Sequence, residues 1–255
     1  MVDLTKTILV GVFGLAVGSF LNVCIYRLPL DESLVWPGSY CPRCRTSLRW
    51  YDNVPLFGYA MLRGRCRTCG VRISAMYPLI EAVTAVVFVA GYLLFGAQLL
   101  LMARLLFACA MIVLFVIDLQ CRILPNIITL PGVLVGFASS LFLPPGWLDS
   151  LIGIMAGGGI LLLIAEAYYR VRKEEGLGMG DVKMLAMIGA FLGWKLMLVT
   201  LVLSSFMGSI MGLTVIALKK GDMKYALPFG TFLAVGALVS SVVGDAVLNW
   251  YLGFY

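Results

Sequence analysis

The chain is dominated by long apolar runs that are separated by short polar stretches. The hydrocarbon core of a bilayer is about 30 Å thick, so a helix needs about 20 consecutive apolar residues to cross it. The runs therefore predict an all-α polytopic membrane protein with about eight transmembrane helices, over residues 5–26, 77–97, 99–118, 125–144, 148–169, 181–199, 200–218 and 226–250. Two of the predicted turns are very short, at Gly96 and at residues 193–195.

The overall composition agrees with lipid as the main solvent. Hydrophobic residues make up 62% of the chain and charged residues 13%, whereas soluble domains are about 45–50% apolar. The first apolar run, Ile8 to Ile25, is long enough to span and lacks a convincing small-x-small cleavage site. We therefore expect it to be a retained helix rather than a cleaved signal peptide.

The positions of the basic residues predict the orientation in the membrane. Of the 19 lysines and arginines, all but Lys6, Arg104 and Lys195 fall in segment 27–76 or in loops on the same predicted side. Because Lys and Arg collect in cytoplasmic loops, segment 27–76 is expected in the cytoplasm and both ends of the chain on the opposite side. The net charge of +6 is explained by this topology, and no nucleic-acid partner is predicted.

The same pattern predicts three domains: a first transmembrane helix at 1–26, a cytoplasmic domain at 27–76, and a seven-helix membrane domain at 77–255. The cytoplasmic segment is about 50 residues long, so it is too short to bury much of a core without a covalent or metal staple.

Four cysteines in segment 27–76 supply a candidate staple. They form two C-x2-C pairs, Cys41 with Cys44 and Cys66 with Cys69. Four thiolates complete the tetrahedral coordination of Zn²⁺ and make a structural site. The alternatives are two disulfides, which a reducing cytoplasm disfavours, and an iron–sulfur centre.

The absence of histidine restricts the possible catalysis. With no His in the chain, Ser-His and Cys-His nucleophiles, HExxH sites and His-ligated metals are excluded. Acid–base chemistry must then use carboxylates, Lys, Tyr or Cys. Six acidic residues lie within or at the ends of the predicted spans: Glu81, Asp118, Asp149, Glu166, Asp181 and Asp245. Glu81 and Glu166 are interpreted as possible ion-pair partners.

Asp118 and Asp181 differ from the other four because the predicted topology places both just inside the cytoplasmic boundary. Two neighbouring carboxylates in a low dielectric do not both ionise, so they share a proton, as an aspartic protease requires. Gly178 and Gly180 leave room for a substrate backbone, and Lys183 either tunes the pair, binds substrate or lies at the interface. The competing interpretation is a simple helix start with an aspartate cap.

Together these motifs resemble a known family. The matching stretches are 18–29, the two Cys pairs, 63–66, 73–81, Asp118 with Arg122 and Leu124-Pro125, Gly178-Met-Gly-Asp181-Val-Lys183, and 227–232. The chain is similar to the type IV prepilin peptidases, bifunctional leader peptidase/N-methyltransferases of type IV pilus and type II secretion systems, which are GxGD intramembrane aspartyl proteases.

The resemblance implies that Asp118 and Asp181 are the catalytic residues and that the substrates are prepilins or pseudopilins. It also implies a bacterial inner-membrane location, a cytoplasmic zinc motif, and N-methylation of the new N-terminus with S-adenosylmethionine. The residues that would bind this methyl donor are not identified by the sequence.

Other functions are compatible with membrane-embedded aspartates. A proton-coupled transporter is the main alternative, although its charged residues would be expected nearer the bilayer midplane. A Ser-Lys signal peptidase and a non-catalytic assembly scaffold are further alternatives, and activity measured on aspartate variants would separate them.

Overall fold

A computed structural model describes residues 3–173, 178–218 and 228–253. The described residues form helices and contain no strand beyond two isolated antiparallel bridges. The helices are α1 (Leu4–Arg27), α2 (Phe57–Met61), α3 (Met76–Phe95), α4 (Leu99–Cys121), α5 (Asn126–Ser140), α6 (Trp147–Arg172), α7 (Met179–Ala217) and α8 (Phe229–Leu252). The predicted all-α membrane fold is confirmed.

Within the described residues, six helices are long and apolar enough to cross a membrane, namely α1, α3, α4, α6, α7 and α8. The difference from the predicted eight arises in two places. Helix α5 is apolar but has only 15 residues, and α7 is a single 39-residue element with a break inside it. The count of eight spans stays a prediction.

The break in α7 lies at Gly193, whose φ of 76° and ψ of 170° are not helical. Residues 194–217 after the break run antiparallel to α8, since Leu196 lies against Gly244 and Gly208 lies against Phe232. The starts of α7 and α8 both pack against Leu124, so residues 179–192 run in the same direction as α8 and opposite to residues 194–217. The sequence predicted a turn in this region. The observed turn at Gly193 comes before the predicted boundary between spans at 199–200.

The chain folds as two compact units, residues 1–113 and residues 114–255. The boundary between them falls inside α4. The predicted division into 1–26, 27–76 and 77–255 was based on apolar and polar stretches, and it stays a prediction.

In the first unit, α1 and α3 pack closely through glycines of α1. A Cβ on Gly14 would lie 2.8 Å from the Ala85 Cα, and one on Gly18 would lie 2.7 Å from the Glu81 Cα. Only a residue without a side chain permits such an approach, as is usual between membrane helices. The Asn22 side-chain amide donates to the Tyr77 carbonyl at 3.0 Å, which adds a polar contact between the two helices.

The polar segment 28–75 is anchored to these helices by two buried charged residues. Arg27 is 5% exposed and donates to the carbonyls of Ser33 and Pro37, both at 2.7 Å. The carboxylate of Glu81 accepts the backbone N–H of Leu56 at 2.8 Å. Glu81 thus binds the backbone of the segment, where the sequence suggested an ion pair.

In the second unit, α7 packs on α6 through glycines on both helices. A Cβ on Gly153 would overlap the backbone of Gly189, and one on Gly157 would lie 2.7 Å from the Leu185 carbonyl oxygen. Gly159, two residues further along α6, has no atom within 4 Å of its would-be Cβ. Gly157 therefore allows the two helices to pack closely, whereas Gly159 does not take part in this contact.

Candidate functional site

Asp118 lies in the last turn of α4 and is buried, with 5% exposure. Its Oδ2 atom accepts the backbone N–H of Thr231 at 2.6 Å and the Thr231 hydroxyl at 2.9 Å. Thr231 is in the first turn of α8. Two donors from one residue hold the carboxylate in a fixed orientation, with Oδ2 turned toward the start of α8.

Asp181 lies in the first turn of α7. Its backbone N–H donates to the carbonyl of the N-cap residue Gly178 at 3.0 Å, and a Cβ on Gly178 would be 3.4 Å from Asp181 Oδ2. The N-terminal end of a helix carries partial positive charge, which favours a carboxylate at this position. The side chain is half-buried.

Two glycines and one leucine bring these helix ends together. A Cβ on Gly180 would lie 2.9 Å from the Leu124 Cβ, and a Cβ on Gly230 would lie 3.0 Å from both Leu124 Cδ1 and Asp118 Oδ2. The starts of α7 and α8 therefore pack on Leu124 beside Asp118. Because Gly180 precedes Asp181 and Gly230 lies against Asp118, both aspartates lie at one end of the second unit.

Lys183 does not touch the aspartates through any hydrogen bond or ion pair in the described structure. Its Nζ donates to the Asn126 side-chain oxygen at 2.8 Å, which links the first turn of α7 to the start of α5. In the described residues Lys183 therefore contacts the start of α5 rather than the aspartates. Its predicted part in tuning the pair or binding substrate stays a prediction.

Residue-by-residue reasoning missed Thr231, Gly230 and Leu124 as parts of the site. The stretches Leu124-Pro125 and 227–232 stood out as motifs, but nothing in them assigned a partner. Of the other motif residues, Leu227 lies outside the described residues. The signal that could have found Thr231 is a hydroxyl residue at a helix start, where a backbone N–H and a side-chain donor are both available to a carboxylate.

The four cysteines of segment 28–75 form a compact cluster. Their Sγ atoms all lie within 4.8 Å of one another, with Cys41 to Cys69 at 3.8 Å and Cys44 to Cys66 at 3.9 Å. Tetrahedral Zn²⁺ with bonds of about 2.3 Å requires sulfurs about 3.8 Å apart. All seven cysteines are free, so the disulfide alternative does not fit, whereas a single tetrahedral ion does.

Both Cys pairs use the same turn. Cys41 donates its N–H to the Thr46 carbonyl at 3.0 Å, and Cys66 donates its N–H to the Val71 carbonyl at 2.8 Å. A left-handed residue follows each pair, Arg45 with φ 55° and Gly70 with φ 67°. Glycine adopts this conformation without strain, so Gly70 is a recognisable turn residue in the sequence, whereas Arg45 in the equivalent position is not.

The turns also favour thiolates. Hydrogen bonds with the side chain and backbone of Thr46 lower the pKa of Cys44 to about 6. Backbone N–H groups of Cys69 and Thr68 lower the pKa of Cys66. Cysteine must be deprotonated to bind a metal ion. These turns favour the deprotonated form of Cys44 and Cys66 and therefore favour metal binding.

Comparison of the sequence with known proteins gives matches that cover both the cysteine cluster and the two aspartates. Residues 12–95 match the bacterial peptidase A24 N-terminal domain, and residues 105–213 match the type IV leader peptidase family. A prepilin leader peptidase/N-methyltransferase of Aeromonas hydrophila is 36% identical over 96% of this chain and 93% of its own length. The chain belongs to the type IV leader peptidase family.

Other members of the family are similar to the chain over much of its length. A prepilin leader peptidase/N-methyltransferase of Pseudomonas aeruginosa is 33% identical over 94% of this chain and 91% of that protein. One from Myxococcus xanthus is 43% identical over 79% of this chain and 61% of that protein. No solved structure gave a significant match. The predicted family membership is confirmed, and nothing in these matches supports the transporter alternative.

Proposed function

We propose that this chain is a membrane-embedded aspartyl endopeptidase that removes the leader peptide of type IV prepilins or pseudopilins and methylates the new N-terminus. The convergence of Asp118 and Asp181 on one end of the second unit carries the proposal. The activities named for the relatives from Aeromonas hydrophila and Pseudomonas aeruginosa support it.

The pair would cleave a peptide bond with one water molecule. Neighbouring carboxylates share one proton, because two negative charges at short range in a low dielectric repel each other. The ionised carboxylate takes a proton from water as the water oxygen attacks the scissile carbonyl. The protonated carboxyl gives its proton to the departing amine, which completes the exchange.

Thr231 has a defined part in this mechanism. Its two donors occupy Oδ2 of Asp118, so the other carboxylate oxygen is the one presented to water and to Asp181. A fixed orientation of this kind removes part of the entropic cost of reaching the reactive geometry. Gly178 keeps the approach to Asp181 free of a side chain, whereas Gly180 allows the start of α7 to pack on Leu124.

The location follows from the charge pattern and the relatives. The helices establish a multi-pass membrane protein, and the relatives are bacterial. We place the chain in the inner membrane, with the aspartates and the cysteine cluster facing the cytoplasm. The eight arginines of segment 27–76 support this orientation through the positive-inside rule.

The four cysteines are assigned to one structural zinc ion. Four sulfurs at tetrahedral separation leave no open position for water, so the ion would organise segment 28–75 and take no part in cleavage. Methylation requires a methyl donor, for which S-adenosylmethionine is proposed from the activity named for the relatives.

The decisive experiment incubates the purified protein with a prepilin and measures the mass of the product. Cleavage and an added methyl group each shift this mass by a known amount. We expect Asp118→Asn and Asp181→Asn to yield no detectable cleavage. The matched control is Asp149→Asn, because Asp149 accepts the Trp194 ring N–H at 3.0 Å far from the pair. Full cleavage by both aspartate variants would contradict the protease assignment.

A further inference from the structure

Three large apolar side chains of segment 28–75 are exposed within a short stretch of the chain. Trp50 is 82% exposed, Phe57 61% and Met61 44%. Phe57 and Met61 lie four residues apart in α2, so they share one face of that helix. Apolar side chains that gather on a surface mark a contact with a protein or a membrane, whereas single exposed ones need no explanation.

Neighbouring side chains of the same stretch face the inside of the first unit. Tyr59 and Leu62 line a cavity that segment 28–75 encloses with the ends of α1 and α3, whereas Phe57 and Met61 do not line it. Helix α2 therefore presents its exposed apolar face on the side away from the cavity.

Trp50 belongs to the same compact element as α2. It begins a single 3₁₀ turn, Trp50–Asn53, and a Cβ on Gly58 of α2 would overlap the Asp52 carbonyl oxygen of that turn. Because only a residue without a side chain permits this contact, Gly58 joins the two pieces closely. The Asp52 side chain is also bound to Arg67, whose Nη2 atom lies 2.5 Å from Oδ1. The turn is thus held in place by two separate contacts.

A hydrogen bond to α3 fixes the depth of this element. The backbone N–H of Leu56 donates to the Glu81 carboxylate at 2.8 Å. Glu81 is five residues after Met76, the first residue of α3, which is about 7.5 Å along the helix. Side chains of a helix lean toward its N-terminal end, so Leu56 lies beside the first turns of α3. Because α3 is long and apolar enough to cross a membrane, Phe57, which follows Leu56 directly, lies where this helix enters the bilayer.

Arginines flank the exposed apolar side chains. Arg49 directly precedes Trp50, Arg63 follows α2, and both are exposed. Neither forms an ion pair within the part of the chain that the structure describes. The acidic residue between them, Asp52, is already paired with Arg67. A positively charged rim around an apolar face suits anionic headgroups that lie above acyl chains.

We propose that residues 49–63, the interfacial segment, anchor segment 28–75 to the bilayer by binding a surface of anionic phospholipids. The exposed apolar side chains enter the boundary between headgroups and acyl chains, where Trp is also enriched. Arg49 and Arg63 bind phosphate groups of the lipids. The anchor goes beyond the proposed cleavage and methylation and does not depend on either.

A second copy of this chain fits the same face less well. It would bring Arg49 and Arg63 of both copies to one contact, and the interfacial segment contains no unpaired carboxylate to offset them. Lipid already lies beside the membrane-spanning part of α3, so the bilayer reaches this face without any further binding event.

The test replaces Phe57 by the photocrosslinking residue p-benzoylphenylalanine in the full-length protein. The protein is reconstituted in liposomes of equal parts phosphatidylcholine and phosphatidylglycerol and irradiated, and its intact mass is measured. We expect the added mass of one phospholipid. The added mass of a whole second chain in place of lipid would overturn the proposal.

The matched control places the same crosslinking residue at Trp36. This side chain is 79% exposed in the same segment, but Arg27 holds its loop at the end of α1 by binding carbonyls on both sides of it. Arg27 lies nine residues, or about 14 Å, beyond Gly18, which packs on Glu81. The control should therefore yield several-fold less lipid adduct. Equal yields at the two positions would show that the label reports exposure alone and would contradict the anchor.

A third sample contains a prepilin during irradiation. The lipid adduct at position 57 should be unchanged, because the anchor is a site for lipid and not for substrate. Replacement of the lipid adduct by a prepilin adduct would assign this face to substrate binding and overturn the proposal.

The role of the arginines is measured from the lipid that is captured. Phosphatidylglycerol should exceed phosphatidylcholine in the adduct by roughly fivefold for each arginine that binds it. The double variant Arg49→Gln with Arg63→Gln should return this ratio to about that of the bulk lipid. Arg170→Gln is the matched control, since Arg170 is exposed on α6 and pairs with Glu166, and it should keep the excess. Equal ratios in the double variant and the control would show that the arginines do not select anionic lipid.

Discussion

Thr231 supplies both hydrogen-bond donors seen on Asp118 Oδ2, and they can be separated by substitution. Thr231→Val removes the hydroxyl but keeps the backbone N–H and the side-chain shape. A hydrogen bond to a charged group contributes about 1.5–3 kcal/mol, so we expect kcat for prepilin cleavage to fall roughly 10- to 100-fold.

The control for this substitution is Thr200→Val in α7. Thr200 is equally buried, but its hydroxyl donates to the Leu196 carbonyl of its own helix at 2.8 Å. Its cleavage rate should stay within about twofold of the unmodified protein, by comparison with ordinary substitutions away from a site. Equal rates for the two variants would show that the Thr231 hydroxyl does not position Asp118.

The two glycines of the Gly178-Met-Gly-Asp181 motif are not equivalent. A Cβ on Gly180 would press on Leu124 at 2.9 Å, whereas one on Gly178 would meet Asp181 Oδ2 at an ordinary 3.4 Å. We expect Gly180→Ala to reduce cleavage more strongly than Gly178→Ala, because it separates the α7 start from Leu124. Initial rates with a purified prepilin would measure this, and the reverse order would contradict the packing described.

Sequence reasoning found the two aspartates but not their surroundings. An acidic residue at the end of an apolar run is visible in the sequence, since burial of charge in a membrane is rare. The bond from Thr231 to Asp118 joins residues 113 positions apart, and no local pattern encodes such a contact. Gly180 was visible as part of a motif, yet its contact with Leu124 appears only when three helix ends meet.

At the scale of helices, Gly153 of α6 and Gly189 of α7 make a backbone-to-backbone contact that a side chain would break. Gly153→Ala would place a Cβ on the Gly189 backbone. Overpacking of this kind costs about 1–3 kcal/mol, so the midpoint of thermal unfolding in detergent, followed by circular dichroism, should fall.

Gly159→Ala in the same helix is the matched control. Its Cβ would meet nothing within 4 Å, and alanine is favoured over glycine in a helix by up to about 1 kcal/mol. Its unfolding midpoint should be unchanged or higher. A larger loss for Gly159→Ala than for Gly153→Ala would disprove the proposed helix contact.

The apolar runs identified the long helices because bilayer thickness imposes their length. They also indicated the turn at Gly193, where glycine permits a φ of 76°. Runs of apolar residues say less about helix ends, so α5 was predicted to be longer than the 15 residues it has. The turns of segment 28–75 were predictable only at Gly70, since Arg45 adopts the same left-handed conformation without a glycine.

At the scale of the whole molecule, the cysteine cluster should determine whether segment 28–75 is folded. We expect about one zinc ion per chain by elemental analysis, as a closed four-thiolate site requires. Cys44→Ser should lose the metal and expose the arginines of the segment to trypsin, because small metal-bound domains unfold without their ion.

The control for the metal experiment is Cys121→Ser, which changes an exposed cysteine at the end of α4. It should keep its zinc and its resistance to trypsin. Iron in place of zinc would support the iron–sulfur alternative, and a metal-free protein that resists trypsin would disprove the structural role.

The short helices of the second unit should affect the local thickness of the bilayer. Helix α5 has 15 residues and the first arm of α7 has 14 before Gly193, so at 1.5 Å per residue they extend only about 22 and 21 Å. A hydrocarbon core of about 30 Å exceeds both, and lipid beside a short helix thins to match it. Such local thinning would let water reach the carboxylates of Asp118 and Asp181 from one membrane surface. Reconstitution in lipids with longer acyl chains should therefore slow proteolysis, whereas shorter chains should sustain it.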